Sequence, residues 1–325
     1  MEALAHARRP FIVAHVTPDA DAIGASLGLA GLLKGSGGEP VVGILADAVG
    51  MKLRFLFELV PAVACAGEWQ DARRHDAIIV LDTAAADRIG VRPMPDLRGP
   101  LPAINIDHHL TNTGFGRHNW VDPQATSTSE LIARLAGRLG RPLTAPIASL
   151  LYAGIHNDTL GFSLPTTTAR SLAIAAELVR RGADAGLIGE RLCRWQPKAE
   201  FELQRRVYDH TRATPDGRIA YSFVTYDDIT SCGCTAEDID NQVAVPRSLA
   251  GVQIALFFSE GEPGVIRVNL RGEGRASVVE VAKQLGGGGH RQSAGIRLRG
   301  RTMDEAIRMV VEAAEAHLGK QAVDE

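Results

Sequence analysis

The chain has 325 residues, of which 45% are hydrophobic and 22% are charged, and its formal net charge is −3. These values are ordinary for a globular protein, and the length predicts about two domains. The small net charge excludes a polycation that coats nucleic acid, so any contact with nucleic acid must be local. No apolar stretch approaches the roughly 20 residues of a membrane helix, and four cysteines are too few for a disulfide framework, so we predict a cytoplasmic protein without a membrane partner.

The first half of the chain alternates short apolar runs with helical patterns. Runs rich in Ile and Val predict buried parallel strands at residues 11–15, 41–45, 77–81 and 103–106. Helices are predicted between and after these strands, at 22–34, near 51–58, and at 127–139, 145–156 and 168–182. This alternation predicts an α/β domain over residues 1–190, with a mainly parallel sheet and helices on both faces.

A charged helical stretch, interrupted by Pro197, follows and predicts a helical linker over residues 191–213. Beyond it, a smaller α/β domain is predicted over residues 214–325. Its strand patterns lie at 219–225, 252–258, 264–270 and 294–298, and its helical patterns at 277–285 and 303–318.

Ionisable side chains collect just beyond the carboxyl ends of the N-terminal elements, where open parallel sheets bind ligands. They are His15, Asp19, Asp21, Asp82, Asp107, His108, His109 and, at the end of the helix at 145–156, Asp158. One such residue alone would be an ordinary helix cap or packed histidine, but the grouped carboxylates would repel one another without cations. Mixed imidazole and carboxylate ligands predict two divalent metal ions, with Mn²⁺ favoured and Mg²⁺, Co²⁺, Fe²⁺ or Zn²⁺ as alternatives.

Four segments resemble, in order, the motifs of the DHH phosphoesterase superfamily: HVTPDADAIGAS, VLDTAAADRIG, NIDHHLTN and LLYAGIHNDTLGF. The C-terminal GGGGHRQSAG is similar to the signature of the DHH-associated domain. This pairing and the chain length resemble the family of NrnA-type nano-RNases and phosphatases of 3′-phosphoadenosine-5′-phosphate (pAp). The resemblance implies a metal-dependent phosphodiesterase, an exonuclease that hydrolyses very short oligonucleotides such as nanoRNA and pApA to mononucleotides, with pAp as a second substrate.

The same resemblance implies a role for each ionisable residue of the N-terminal domain. One ion would be bound by His15 and Asp19, the other by Asp21, His108 and Asp158, and Asp82 would bridge the two. Asp107 would orient the ring of His108, and His109 would contact the scissile phosphate.

Basic residues and glycines dominate the C-terminal segment 264–301, which holds eight Lys or Arg residues and two Glu residues. Four successive glycines let the backbone approach an anion and expose its N–H groups. The resemblance implies that a substrate phosphate is held here by Arg271, Gly287, Gly288, Gly289 and His290. The sequence Asn-Leu-Arg-Gly at 269–272 departs from the Ser-Leu-Arg-Ser that is frequent in the family, so hydroxyl groups are missing near the expected substrate.

Other functions fit parts of this pattern. A RecJ-like single-strand exonuclease would need further nucleic-acid-binding modules, and a manganese pyrophosphatase would lack the GGGGH segment. A catalytically inactive nucleotide sensor would not need all six metal ligands. Hydrolysis of pApA in cyclic-di-AMP turnover is chemically the same reaction as the favoured one. The preference among short RNA, short DNA, pApA and pAp stays open, as does the oligomeric state, for which a homodimer is one option.

Overall fold

The computed structural model describes residue 4 and residues 7–69, 72–239 and 242–321. The chain divides into two compact units, Met1–Trp195 and Gln196–Glu325. The segment predicted as a linker is therefore split between the two units, and the division into 1–190, 191–213 and 214–325 stays a prediction. Among the described residues, no helix is both long and apolar enough to cross a membrane.

The N-terminal unit is built on a sheet of six strands: β1 (Pro10–Val13), β2 (Val41–Val42), β3 (Ala64–Cys65), β4 (Ala77–Leu81), β5 (Ala103–Asp107) and β6 (His118–Val121). All neighbours are parallel, in the order β3-β2-β1-β4-β5-β6. The order reverses between β1 and β4, so the carboxyl ends of these two strands flank the switch point at which open α/β sheets bind ligands. The predicted parallel α/β architecture is confirmed, while β3 and β6 were missed because neither carries a buried apolar run.

In the described part of this unit, the α-helices with given bounds are α1 (Ala20–Lys34), α2 (Phe55–Glu58), α3 (Thr128–Arg138), α4 (Ala145–Asp158), α5 (Ala169–Arg180) and α6 (Ala185–Gly189). The long helices share one apolar core with Ile12, Ile79 and Ile106 of the sheet. The opposite face of the sheet, which includes Phe11 and Ile78, is covered mainly by loop residues. The long helices therefore cover one face of the sheet, and loop residues cover most of the other face.

Two glycines set the close approach of α1 and α4. A Cβ atom at Gly24 would lie 2.4 Å from the carbonyl oxygen of Leu150, and one at Gly154 would lie 2.4 Å from Oδ1 of Asp21. A larger residue at either position would force the helices apart. The crossing brings the first turn of α1 next to the last turns of α4, and so brings Asp21 towards Asp158.

The C-terminal unit contains a mixed sheet of six strands in the order β11-β12-β10-β9-β8-β7, in which only β8 and β9 are parallel. The strands are β7 (Arg212–Ala213), β8 (Ile219–Val224), β9 (Ile254–Glu262), β10 (Val265–Gly272), β11 (Gly288–His290) and β12 (Ser293–Arg299). The helices are α7 (Lys198–Asp209), α8 (Tyr226–Ser231), α9 (Ala244–Arg247), α10 (Val279–Gln284) and α11 (Met303–Gln321).

The two faces of the C-terminal sheet are covered unequally. Helices α10 and α11 share a core with Val268 and Leu270 on one face. On the other face, α7 and α8 pack over β8 and β9, including Phe257, but that core does not extend to β10, β12 and β11. All four predicted strands are confirmed. Gly288 and Gly289 of the glycine run pair with β12, together with His290, as the edge strand β11.

Candidate metal centre

The switch point of the N-terminal sheet gathers seven of the predicted site residues. Three overlapping groups have donor atoms that lie within 4.8 Å of one another: His15, Asp19 and Asp82; Asp82, His108 and His109; and Asp21, His108 and Asp158. Each group could hold a metal ion. The assignment of individual residues as ligands stays a prediction.

Asp82 is shared by two of these groups and presents one carboxylate oxygen to each. Its Oδ2 lies 3.4 Å from Nε2 of His15, whereas its Oδ1 lies 3.5 Å from Nε2 of His108. Two ligand atoms that each lie about 2.1 Å from one ion are separated by about 3–3.4 Å at ordinary coordination angles. The observed separations therefore match pairs of atoms that share an ion.

The backbone of Asp82 is unusual. This residue follows β4 directly, is 3% exposed and has φ of 50°, in the left-handed region that non-glycine residues rarely adopt. Its N–H donates to the carbonyl oxygen of Ile106, which fixes it against β5. Such strain clusters at functional sites, where the surrounding structure maintains it.

The other carboxylates are held by backbone and amide groups. Asp19 caps α1, and its Oδ1 accepts from the N–H groups of Asp21 and Ala22. Asp21 is fully buried, and its two oxygens accept from the N–H groups of Thr128, at 2.6 Å, and Ser129, at 2.8 Å. Asp158 ends α4, with its Oδ2 3.3 Å from Nε2 of His108. Each carboxylate is thus oriented and still borders a metal-binding group.

The expectation that Asp107 orients the ring of His108 is wrong. Oδ1 of Asp107 lies 2.7 Å from Nδ1 of His109, and it contacts His108 only by accepting from its backbone N–H, at 2.9 Å. Strand β5 ends at Asp107, and the chain beyond it brings the ring of His109 to this carboxylate, while Nε2 of His108 faces Asp82 and Asp158. Asn112 donates to the second oxygen of Asp107, at 2.6 Å. The oriented ring is that of His109, whose side chain is 43% exposed.

The electrostatics of the centre show a shortage of positive charge. Burial and the charge of Asp82 raise the pKa of Asp21 to about 7. Burial and the neighbouring carboxylates also raise the pKa of Asp158 well above its ordinary value. Burial alone would lower the pKa of His108, but the hydrogen bond to Asp82 and the charges of Asp21 and Asp158 raise it to about 10.

This donor set fits divalent ions. Four carboxylates, those of Asp19, Asp21, Asp82 and Asp158, lie among imidazoles, and two divalent ions carry the matching four positive charges. Imidazole with carboxylate is a ligand combination that suits first-row transition metals. Within the described part of the chain, Nε2 of His15 faces Asp82, while its Nδ1 is buried without a hydrogen-bond partner.

In the C-terminal unit, the strand register places the predicted substrate residues in one row. Arg271 of β10 pairs with Ser293 of β12, and Ser293 pairs with His290 of β11. Directly paired residues share a face, so Arg271 and His290 lie on the same side of the sheet, roughly 10 Å apart, with Ser293 between them. This is the face that the apolar core leaves uncovered at β10 and β12, and it also carries the exposed side chains of Arg267 and Arg297.

The glycines of this region have structural roles. A Cβ atom at Gly287 would lie 2.2 Å from the carbonyl oxygen of Gly295, and one at Gly289, where φ is 142°, would lie 2.5 Å from Cα of Ala294. These two glycines therefore let β11 approach β12. A Cβ at Gly288 would meet nothing within 4 Å, so Gly288 is the predicted substrate glycine with open space beside it.

Comparison with known proteins decides the family. The model of the DHH family N-terminal domain matches residues 9–155, and that of the DHHA1 domain matches residues 216–317. The bifunctional oligoribonuclease and PAP phosphatase NrnA of Thermus thermophilus is 33% identical over 308 residues, which cover 95% of this chain and 90% of that protein. This chain belongs to the NrnA family of DHH proteins.

Solved structures share the fold of this chain. A crystal structure of an exopolyphosphatase-related protein from Bacteroides fragilis has a TM-score of 0.86 and 26% identity, with 100% of this chain and 96% of that chain covered. RecJ of Thermus thermophilus in complex with Mn²⁺ has a TM-score of 0.54 and 15% identity. The match covers 98% of this chain but 54% of the RecJ chain, so RecJ shares the fold alone.

Three residues that contact or lie between the candidate site residues were not predicted from the sequence. Thr128 contacts Asp82 and Asp21, Asn157 faces Asp19, and Ser293 lies between the two predicted phosphate-binding residues. The helix that carries Thr128 was predicted, at residues 127–139, and the pattern Ser127-x-x-Glu130 at its start resembles a capping box. It could not have revealed contacts with residues 46 and 107 positions away.

We predict that the metal-free NrnA-family protein loses stability as pH rises from 7.5 to 9.5. The folded-state pKa of His108, about 10, lies above its unfolded value of 6.5, so its contribution is complete below pH 6.5 and is lost as pH rises towards 10. The melting temperature in chelator, measured across this range, should fall, and His108→Gln should flatten the slope. Saturating Mn²⁺ should raise the melting temperature more at pH 9 than at pH 6.5, because protons compete with the ion for its ligands. A flat or rising profile without metal would contradict this account of the centre.

Proposed function

We propose that this NrnA-family protein is a metal-dependent phosphoesterase that hydrolyses very short oligonucleotides, including pApA, to mononucleotides and also dephosphorylates pAp. The observation that supports it most strongly is the carboxylate of Asp82, which offers one oxygen to each of two His/Asp groups. A shared carboxylate between two groups of ligands is the arrangement that a pair of ions needs. The Thermus thermophilus relative is named for the same two activities.

We propose two divalent ions, with Mn²⁺ favoured over Mg²⁺, Co²⁺, Fe²⁺ or Zn²⁺. His15 and Asp19 would hold one, Asp21, His108 and Asp158 the other, and Asp82 both. When bound, such a pair clamps a phosphate and makes a water molecule a competent nucleophile at neutral pH.

His109 and Asp107 would act together on the substrate. The hydrogen bond to Asp107 raises the pKa of His109 above its ordinary value, which favours the protonated form of the ring. Because Asp107 occupies Nδ1, Nε2 remains to donate a hydrogen bond to the scissile phosphate or a proton to the leaving oxygen. Asn112 keeps Asp107 in place from its other oxygen.

The row formed by Arg271, Ser293 and His290 would bind a second anionic group of the substrate. Arginine and histidine supply charge-assisted hydrogen bonds, and Ser293 supplies a hydroxyl group, which positions 269–272 lack. Gly288 leaves room for an approaching phosphate beside this row.

We predict that Arg271→Ala and His290→Ala each lower kcat/KM for pApA by roughly 10–150-fold, the equivalent of 1.5–3 kcal/mol for a charge-assisted contact. Activity on bis-p-nitrophenyl phosphate should change little, because this substrate has no second phosphate. Arg308→Ala is the matched control, since Arg308 is exposed on α11, which covers the opposite face of the sheet. Equal losses on both substrates would show that the two residues support the fold or the metal centre instead.

The proposed function is tested with the purified protein and Mn²⁺, by comparing initial rates on pApA, a 5-mer, a 24-mer and pAp. We expect pApA and the 5-mer to be degraded much faster than the 24-mer, with measurable release of phosphate from pAp. Fastest degradation of the 24-mer would favour the RecJ-like alternative. No turnover of any substrate, with Mn²⁺ bound, would favour the sensor.

We also propose that the protein is located in the cytoplasm. The homodimer stays a prediction, which light scattering can test.

A further inference from the structure

The first turn of α3 makes two contacts with the candidate metal centre through one residue. Thr128 is fully buried, and its Oγ1 donates to Oδ1 of Asp82, at 3.1 Å. Its backbone N–H donates to Oδ2 of Asp21, at 2.6 Å. Ser127 caps this helix by accepting from the N–H of Glu130, so the backbone that carries Thr128 is fixed.

The contact with Asp82 concerns the orientation of its carboxylate. Asp82 has a left-handed backbone that its own residue type does not favour, and it must keep Oδ2 towards His15 and Oδ1 towards His108. A hydroxyl that donates to Oδ1 of Asp82 opposes the rotation of the carboxylate that would exchange its two oxygens. The hydroxyl leaves Oδ2 untouched and uses only part of the accepting capacity of Oδ1.

We propose that Thr128 is a positioning residue that fixes the carboxylate of Asp82 for metal binding. This inference rests on the metal centre of the proposed function, and it concerns a residue to which that proposal assigns no contact with an ion or substrate. Thr128 acts through Asp82, so its loss changes metal affinity first and turnover as a consequence.

The chain offers a matched control two residues earlier. Thr126 is also buried, and its Oγ1 donates to Oε2 of Glu130, at 2.9 Å. Both threonines thus give a hydroxyl hydrogen bond to a carboxylate in the same segment. Glu130 borders none of the three metal-binding groups found among the described residues, whereas Asp82 belongs to two of them.

The experiment measures Mn²⁺ affinity by titration calorimetry on the full-length protein for Thr128→Val, Thr128→Ser and Thr126→Val. Thr128→Val should weaken binding by roughly 10–100-fold, the usual effect of removing a hydrogen bond to a metal ligand. Thr128→Ser keeps the hydroxyl and should restore affinity close to the wild-type value. Thr126→Val should leave affinity unchanged even where it lowers the melting temperature. Thr128→Ala is a second variant without the hydroxyl, should the valine side chain not fit.

Wild-type affinity in both Thr128→Val and Thr128→Ala would overturn the inference. An equal loss in Thr126→Val, or a failure of Thr128→Ser to restore binding, would overturn it as well, since either would indicate a general effect on the fold. If the wild-type protein binds Mn²⁺ but hydrolyses none of the four substrates, the proposed function is wrong. The role of Thr128 in metal binding would not be contradicted by that result. Wild-type protein that binds no Mn²⁺ would overturn both.

Discussion

Asp82→Asn should abolish hydrolysis while leaving the fold intact. Asn has almost the same shape as Asp and tolerates a φ of 50° comparably, whereas Ala would add backbone strain at this position. The substitution removes the one carboxylate that faces both His15 and His108, so it should weaken the binding of both ions. Metal ions supply several kcal/mol of transition-state stabilisation, so we expect kcat/KM for pApA to fall by more than about 10³-fold.

Two further variants serve as comparisons for the loss of activity expected in Asp82→Asn. Asp87→Asn is the control, because Asp87 lies only five residues away but is exposed. Asp107→Asn should be milder, roughly 10–100-fold, since the proposed role of Asp107 is to hold the ring of His109 and not to bind an ion. Circular dichroism and melting temperature should show that all three variants fold. Near-normal turnover by the Asp82→Asn variant in Mn²⁺ would contradict the proposal that Asp82 binds both ions.

The positions of the candidate metal-binding residues could be predicted because they depend on the sheet. Buried parallel strands appear in the sequence as runs such as Ala77–Leu81, and the residues that follow such runs meet at one edge. The strands β6 and β11 could not be predicted in this way. The first is largely exposed, and the second consists of glycines and one histidine, so neither shows a periodic apolar pattern.

The error over Asp107 has a simple physical origin. Neighbouring positions in the sequence suggested a contact between Asp107 and the ring of His108. Strand β5 ends at Asp107, however, and the chain beyond the strand brings the ring of His109 to this carboxylate instead. The conformation of the residues after the strand is not visible in a local apolar pattern.

The contacts made by α3 and the row in the C-terminal unit depend on information that one sequence does not carry. Thr128 meets Asp82 only because α3 begins beside the end of β4, which is a consequence of tertiary packing. Likewise, Arg271 and His290 share a face because of the register of three strands, and a shift of one residue would move one of them to the other side. Local patterns predict elements, while these contacts require the assembled unit.

Removal of divalent metal should reduce hydrolysis of pApA to the background rate, and Mn²⁺ should restore it far better than Ca²⁺. Every metal-binding group at the switch point contains an imidazole, whereas Ca²⁺ prefers six to eight oxygen ligands. The protein is treated with EDTA, desalted, and assayed after addition of each ion, with metal content determined by elemental analysis. Melting temperature provides a readout that does not depend on turnover, because an ion at 100 times its Kd stabilises the folded state by about 2.7 kcal/mol. His108→Gln should lose most of this stabilisation, since His108 belongs to two of the three groups. Full activity in excess chelator, with no metal found by elemental analysis, would rule out the two-ion centre and with it the proposed roles of its ligands.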